Sequence, residues 1–397
     1  MDETIELNFD VWVGHIIPFL EARDVLALAC VNRTFYGFVQ ALPRHCISST
    51  RSFSPSNLER CLKLGEFQAK HPFLQIALNV SVLQTTGLCD LSPLSSLHTL
   101  TLLNCNLTDV SALGSVHKLR LQSCKGVTDV SALGSVHTLT LSYCSGITDV
   151  SALGSVHTLT IWNCDGITDM SALGSVHMLE LACCNGITDV SALGSVHMLE
   201  LACCNGITDV NALGSVHTLT LDCCNGITDV SALGSVHTLT LDYCYGITDV
   251  NALGSVYTLT LRSCSGITDV SALGSVHMLK IVDCSRVRDV SALGSVHTLE
   301  LSCCNGITDV SALRSVHTLT LSSCSRVRDV NALGSVHKLT LLECGGITDV
   351  SALGSVHTLK ISHCYGITNV SALRSVHTLK IHGVSITDVS ALGTLYV

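Results

Sequence analysis

From about residue 90 onward, apolar and polar positions follow one short grammar. Between Val116 and Ser135 the apolar residues are Val116, Leu119, Leu121, Cys124, Val127, Val130 and Leu133. The Leu-x-Leu alternation has the period of two that belongs to a strand with one buried face. Cys124 is small and ends the strand, Gly126 frees the backbone to turn, and Asp129 precedes a Val-Ser-Ala-Leu segment too short for an α-helix of ordinary length. The pattern therefore predicts a coil made of a short strand, a turn and a short back. It recurs every 20 residues, so that Cys124 is followed by Cys144, Cys164, Cys184 and onward to Cys364. Residues 171–190 and 191–210 are identical, which marks recent duplication. Differences between copies carry more information than their sameness, because they arose despite the copying.

Counting positions from Val116 as 1, fifteen Leu-x-Leu strands run from Leu100 and Leu102 to Leu379 and Ile381. A coil cannot bury its apolar side alone, so neighbouring coils must stack. The pattern LxxLxLxxCxxITDxxxL resembles the cysteine-containing class of leucine-rich repeats, and DVSALGSV is similar to the DISPL segments of bacterial leucine-rich repeats. The resemblance implies a repeat solenoid over residues 73–397, with one parallel sheet of fifteen short strands and short non-helical backs. The first and last coils depart from the pattern: Asn106-Leu107 and Ser385-Ile386 lack the glycine, and Val384 replaces the cysteine. Leu395-Tyr396-Val397 falls where a further strand would begin, which predicts an open sheet edge.

The N-terminal region has a different periodicity. Val11, Trp12, Ile16, Ile17 and Leu20 suit one amphipathic helix, Asp24 suits the cap of a second, and Val25, Leu28, Val31 and Phe35 continue at helical spacing. So short a segment cannot bury these faces by itself. It resembles an F-box, with Leu7, Asp10, Ile16, Leu20, Asp24, Val25, Leu28, Val31 and Phe35 as the adaptor-binding set. Asn8 stands at the family's proline, Asn32 at its cysteine and Phe35 at its tryptophan. The chain then divides into a helical F-box-like domain over 1–46, a linker and capping helix over 47–72, and the repeats. Ser54-Pro55 reads as N-cap and first helical residue of a helix reaching Lys70, and residues 73–83 as an irregular first strand. F-box proteins with C-terminal leucine-rich repeats are substrate receptors of Skp-cullin-F-box ubiquitin ligases. The resemblance thus implies a Skp-type adaptor, a cullin scaffold and a protein substrate as partners. The alternative is an interaction rod with no ligase role.

Composition narrows the setting. The acidic opening Met-Asp-Glu-Thr-Ile-Glu is unlike a secretory signal, and no apolar run approaches the length of a membrane span. The expectation is a soluble cytoplasmic or nuclear protein, in host cytoplasm if viral, not secreted and with no membrane partner. Its 22 cysteines are then reduced thiols. A formal charge of -10 argues against a nucleic-acid partner. Much of that charge is one column, Asp109 to Asp349 every 20 residues plus Asp388, 14 carboxylates whose removal would leave +4. Stacked carboxylates repel, and capping the Val-Ser-Ala-Leu turn by accepting backbone N–H bonds offsets that.

The remaining columns supply the candidate chemistry. Fourteen cysteines at position 9 lack the C-x2-4-C spacing of a zinc site and read as a packed thiol column, so no metal and no cofactor are expected. Cys183, Cys203, Cys223 and Cys303 at position 8 should face outward. Fourteen histidines and Tyr257 fill position 2, and this column is open to two readings, a proton-sensitive stack or a neutral exposed ladder. Copies diverge at positions 5, 7, 8 and 10, where Tyr143, Trp162, Glu180, Glu200, Asp222, Asp242, Tyr243, Tyr245, Arg262, Lys280 and Asp283 form the candidate substrate-binding set. Aromatics and arginine are favoured interface anchors, and drift on a solvated face is the other reading. Arg286, Arg288, Arg326 and Arg328 could form an anion-binding edge. No catalytic set is present: every His and Cys that could pair as a nucleophile belongs to a repeat column, and the chain is expected not to be an enzyme.

Overall fold

All seven apolar positions of the coil point inward. Val116, Leu119, Leu121, Cys124, Val127, Val130 and Leu133 are buried, as are their counterparts in coil after coil. The computed structural model describes residues 90–385, the strands Cys46–Ser49 and Gln75–Ser81, and the helical residues Glu66 and Ala69. The adaptor-binding set from Leu7 to Phe35 and the C-terminal edge at 395–397 lie outside the described residues.

The chain divides into two units, Met1–Ile167 and Thr168–Val397. In the first, β1 (Cys46–Ser49), β2 (Gln75–Ser81), β3 (Thr99–Leu103), β4 (Lys118–Gln122), β5 (Thr138–Ser142) and β6 (Thr158–Trp162) pair in sequence order, each pair parallel. In the second, the strands from β7 (Met178–Ala182) to β17 (Thr378–His382) pair in sequence order, with Met178 opposite Met198 and Thr358 opposite Thr378. Fifteen repeat strands in parallel array, four in the first unit and eleven in the second, match the expectation from the Leu-x-Leu count. β2 falls within the strand expected over 73–83. β1 is an addition to it, since four residues are too few to display an alternation.

Among the described residues the backs contain no α-helix but are not irregular. In most coils the back is one 3-10 turn such as Ser131–Ser135, in which the Leu133 N–H donates to the Val130 carbonyl at 2.9 Å. The aspartate column does what its position requires. Asp129 Oδ1 accepts the Ser131 N–H at 2.8 Å, and the same bond recurs from Asp109 to Asp349, with Asn369 serving in the coil that lacks the aspartate.

The turn after the strand is built differently from the sequence reading. Gly126 was expected to provide conformational freedom, but the left-handed backbone lies three residues earlier, at position 8. Ser123 has φ 54°, and Asn104, Tyr143, Cys203 and Glu343 are alike. Only Gly383 supplies a glycine there, at φ 59°. The left-handed residue still extends the ladder, since the Ser123 N–H donates to the Ser142 carbonyl at 2.8 Å. Gly126 serves close approach instead: a Cβ on it would stand 2.5 Å from the Leu107 carbonyl oxygen of the preceding coil.

Candidate protein-binding face

Alternation along each strand sends positions 4 and 6 into the core and positions 3, 5 and 7 to the outer face. Positions 8 and 10 lie on the turn beside that face. At position 7 the long side chains of Trp162 and Arg262 are exposed, whereas Ser142, Ala182, Ser302 and Ser362 are buried and Ala202 and Ser322 are half-buried.

In the first unit, Tyr143 and Trp162 are 39% and 40% exposed, and their rings pack at a centroid distance of 5.3 Å. In the second, Glu180 and Glu200 stand opposite one another on adjacent strands. Burial and then Glu180 push the Glu200 carboxyl above its ordinary range. Asp222, Asp242 and Arg262 occupy one row across three strands. The Arg262 Nε lies 3.6 Å from Asp242 Oδ2, and yet burial outweighs the guanidinium and leaves the Asp242 carboxyl raised. Oδ1 of both Asp222 and Asp242 is buried with no hydrogen-bond partner. Tyr243 and Tyr245 meet edge to face at 6.3 Å, Lys280 pairs with Glu300 at 2.9 Å, and Asp283 Oδ2 accepts the Ser263 hydroxyl at 3.3 Å.

Position 3 also belongs to the face and was missed. Met198 and Met278 are exposed there, Met178 is half-buried, and Lys118 and Lys338 are exposed. The period of two that identified positions 5 and 7 reaches position 3 as well. Its usual threonine concealed the signal.

The position 9 thiols are buried and donate to carbonyls, as Cys144 does to Leu121 of the preceding coil and to Ser142 at 3.6 and 3.4 Å. Burial pushes the thiols of Cys204 and Cys304 up to about 12, and those of Cys224 and Cys284 up to about 11. Cys183, Cys203 and Cys223 at position 8 are half-buried, and Cys303 is exposed. Burial and the neighbouring Asp222 raise the Cys223 thiol to about 12. Among the described residues no group of three His, Cys, Asp or Glu side chains is placed to hold a metal ion.

In the second unit the position 2 rings from His177 to His357 stack, with centroids 4.6 Å apart for His197 and His217 and for His277 and His297, whereas in the first unit His98, His117, His137 and His157 are tilted or edge-on to one another. Tyr257 continues the stack in place of a histidine. Burial first and the neighbouring imidazoles second hold His98, His117 and His357 below the usual histidine range. Arg286, Arg288, Arg326 and Arg328 are exposed beside the turns, with Arg286 donating to the Ser265 carbonyl at 3.5 Å.

No known protein family matches the sequence, and no curated protein does either. Solved structures do match. A TLR13–ssRNA13 complex aligns over 88% of this chain and 62% of the other at 17% identity, with a TM-score of 0.52. An internalin of Listeria monocytogenes (18% identity, 86% and 94% of the chains, TM-score 0.40) and a leucine-rich repeat protein of Leptospira interrogans (15%, 85% and 95%, TM-score 0.43) also align. At such identities the likeness concerns the fold alone, and the fold is that of leucine-rich repeats.

Proposed function

We propose that the outer sheet face is a protein-recognition surface, and that the chain is the substrate-receptor subunit of a Skp-cullin-F-box ubiquitin ligase in the cytoplasm or nucleus. The observation that carries the recognition reading is where the copies differ. Core, cap and thiol columns repeat from coil to coil, while most of the aromatic, acidic and basic replacements fall on the outer face and the turn beside it. A rigid sheet presenting large side chains at low entropic cost suits an interface. The ligase reading is supported by the resemblance of residues 5–39 to an F-box and by the order box, cap, repeats. Free thiols throughout the described residues fit a reducing compartment.

The test is affinity purification of the full chain from a eukaryotic lysate, probed for a Skp-type adaptor and a cullin. Both should co-elute with the natural sequence, and a Leu20→Asp/Val25→Asp double variant should lose both while its repeats keep their circular dichroism. Capture of a protein without adaptor or cullin from the natural chain leaves a binding scaffold with no ligase role, and the receptor assignment fails.

A further inference from the structure

Outer-face cations keep different company: some stand beside an acid, while others in both units do not, Lys338 lying between Thr318 and Thr358 and Lys360 between Thr340 and Lys380. In the second unit, Arg262 stands beside Asp242 and Lys280 beside Glu300. In the first, Lys118 lies in register between Thr99 and Thr138, and Arg120 between Thr101 and Thr140. The Arg120 Nη2 donates to Gln122 Oε1 at 2.8 Å, a neutral acceptor that orients the guanidinium without cancelling its charge. The turns beside these strands add Lys125 and Asp165. The first unit's face is thus net cationic in a chain of formal charge -10.

A second observation lies on the same face. Ser142 stands in register between Gln122 and Trp162, is 1% exposed, and its Oγ has no hydrogen-bond partner. Buried hydroxyls normally have one. Its buried equivalents in the second unit do: Ser302 donates to Glu300 Oε1 at 3.1 Å, and Ser362 bonds with His363 Nδ1 at 3.0 Å. The orphaned hydroxyl adjoins the exposed ring pair of Tyr143 and Trp162.

We propose that Lys118, Arg120, Gln122, Ser142, Tyr143 and Trp162 form the docking site for an acidic peptide segment that carries an aromatic side chain. The proposal rests on the outer face being the recognition surface and deepens that reading by naming the partner's chemistry. A carboxylate can take two parallel N–H bonds from a guanidinium, and Gln122 already holds that of Arg120 in place. The partner's ring packs on Tyr143 and Trp162, and a small displacement of these rings on binding opens Ser142 to a hydrogen bond. Single-stranded nucleic acid also combines cations with aromatics. Here, however, the two rings pack on each other at 48° rather than standing apart as separate platforms, and the chain is acidic overall.

The experiment titrates the full chain into fluorescein-labelled synthetic peptides: a glutamate-rich peptide with a central Phe, the same peptide with lysines for the glutamates, and the same with Ala for Phe. The first should bind at least about tenfold more tightly than either control, and Arg120→Thr and Trp162→Thr should each weaken it about tenfold. Affinity should also fall as salt rises from about 50 to about 300 mM. Ser142→Ala should weaken binding a few-fold without lowering thermal stability, a readout that holds should either larger variant misfold. Equal binding of the lysine peptide, affinity unmoved by Arg120→Thr and Trp162→Thr, absence of any binding, or tighter binding of an oligothymidylate would each overturn the proposal. Capture of a cellular protein that is lost with Tyr243→Thr/Arg262→Thr and retained with Arg120→Thr overturns this site and leaves the recognition face standing. Capture indifferent to all of these variants removes both.

Discussion

The inward columns of each coil and its outward face are made by the same five-residue strand under opposite constraints. Leu239 and Leu241 are fully buried and recur almost unchanged, while positions 3, 5 and 7 vary from threonine to Met198, Glu200, Arg262 and Lys280. Because neighbouring coils meet in register, an inward side chain is packed by the same side chain of the coils on either side, and a change in its volume is felt twice. An outward side chain meets its neighbours only along a row, and a poor neighbour can turn to solvent. The fold therefore resides in the columns that copying preserved, and recognition is free to reside in those it did not.

The sharpest test sets two adjacent residues against each other. Leu241→Ala should lower the free energy of unfolding by about 3 kcal/mol, because it leaves a cavity between three coils that cannot collapse independently. Thr240→Ala, one residue away on the face, should change it by only about 0.5 kcal/mol. Denaturant unfolding of both variants measures the contrast, and similar losses would mean that the face carries stability as well.

What the sequence made legible follows the same division. The strands, the buried thiol column and the capping aspartates were readable because each is a periodic demand of packing or hydrogen bonding, repeated until chance is excluded. The turn was misread because its strained residue wears no common signature: position 8 is most often Ser, Tyr, Cys or Glu, and only Asn104, Asn163, Asp283, His363 and Gly383 are residues that favour a left-handed backbone. On the face, Trp162 and Arg262 stand out as an aromatic and an arginine where the copies diverge, whereas Met198 and Met278 lie in a column that is mostly threonine and carry no such signal. That positions 7 and 8 belong to different surfaces could not be read either, since it depends on the sign of a φ angle.

Acid should loosen the backs before it touches the core. The Ser231 N–H, and next the Ser231 hydroxyl, hold the Asp229 carboxyl below its ordinary range, and Asp149 is held likewise by Ser151. A carboxyl depressed in the folded chain adds stability above its unfolded value, and that stability is lost as pH falls through the folded value. The caps should therefore fail together below about pH 4. His98, His117 and His357 are also depressed, so the unfolded chain takes up their protons first and a shallower loss begins as pH falls below about 6.5. Thermal midpoints measured from pH 7.5 downward should show the shallow histidine step first and the cap step below it. A His117→Thr variant, which removes one of these imidazoles and the neighbour of His98, should flatten the first and leave the second unchanged. A flat profile between pH 7 and pH 5 would show that the imidazoles titrate alike in both states.

The smallest expected effect falls where the two surfaces meet. Ser123 and Tyr143 share a left-handed φ of 54°, a conformation that glycine adopts without the Cβ penalty and that the last coil fills with Gly383. Ser123→Gly should therefore stabilise the chain by about 0.5–1 kcal/mol, the Cβ strain relieved exceeding the added freedom of the unfolded backbone. The Ser123 N–H keeps its bond to the Ser142 carbonyl, so the ladder is not disturbed. Tyr143→Gly relieves the same strain but removes the ring that packs on Trp162 at 5.3 Å. Its stability should change less than that of Ser123→Gly, while binding of the glutamate-rich peptide falls. Equal stabilisation by both variants with peptide binding intact would show that the aromatic ring serves neither packing nor recognition, and that position 8 is only a turn.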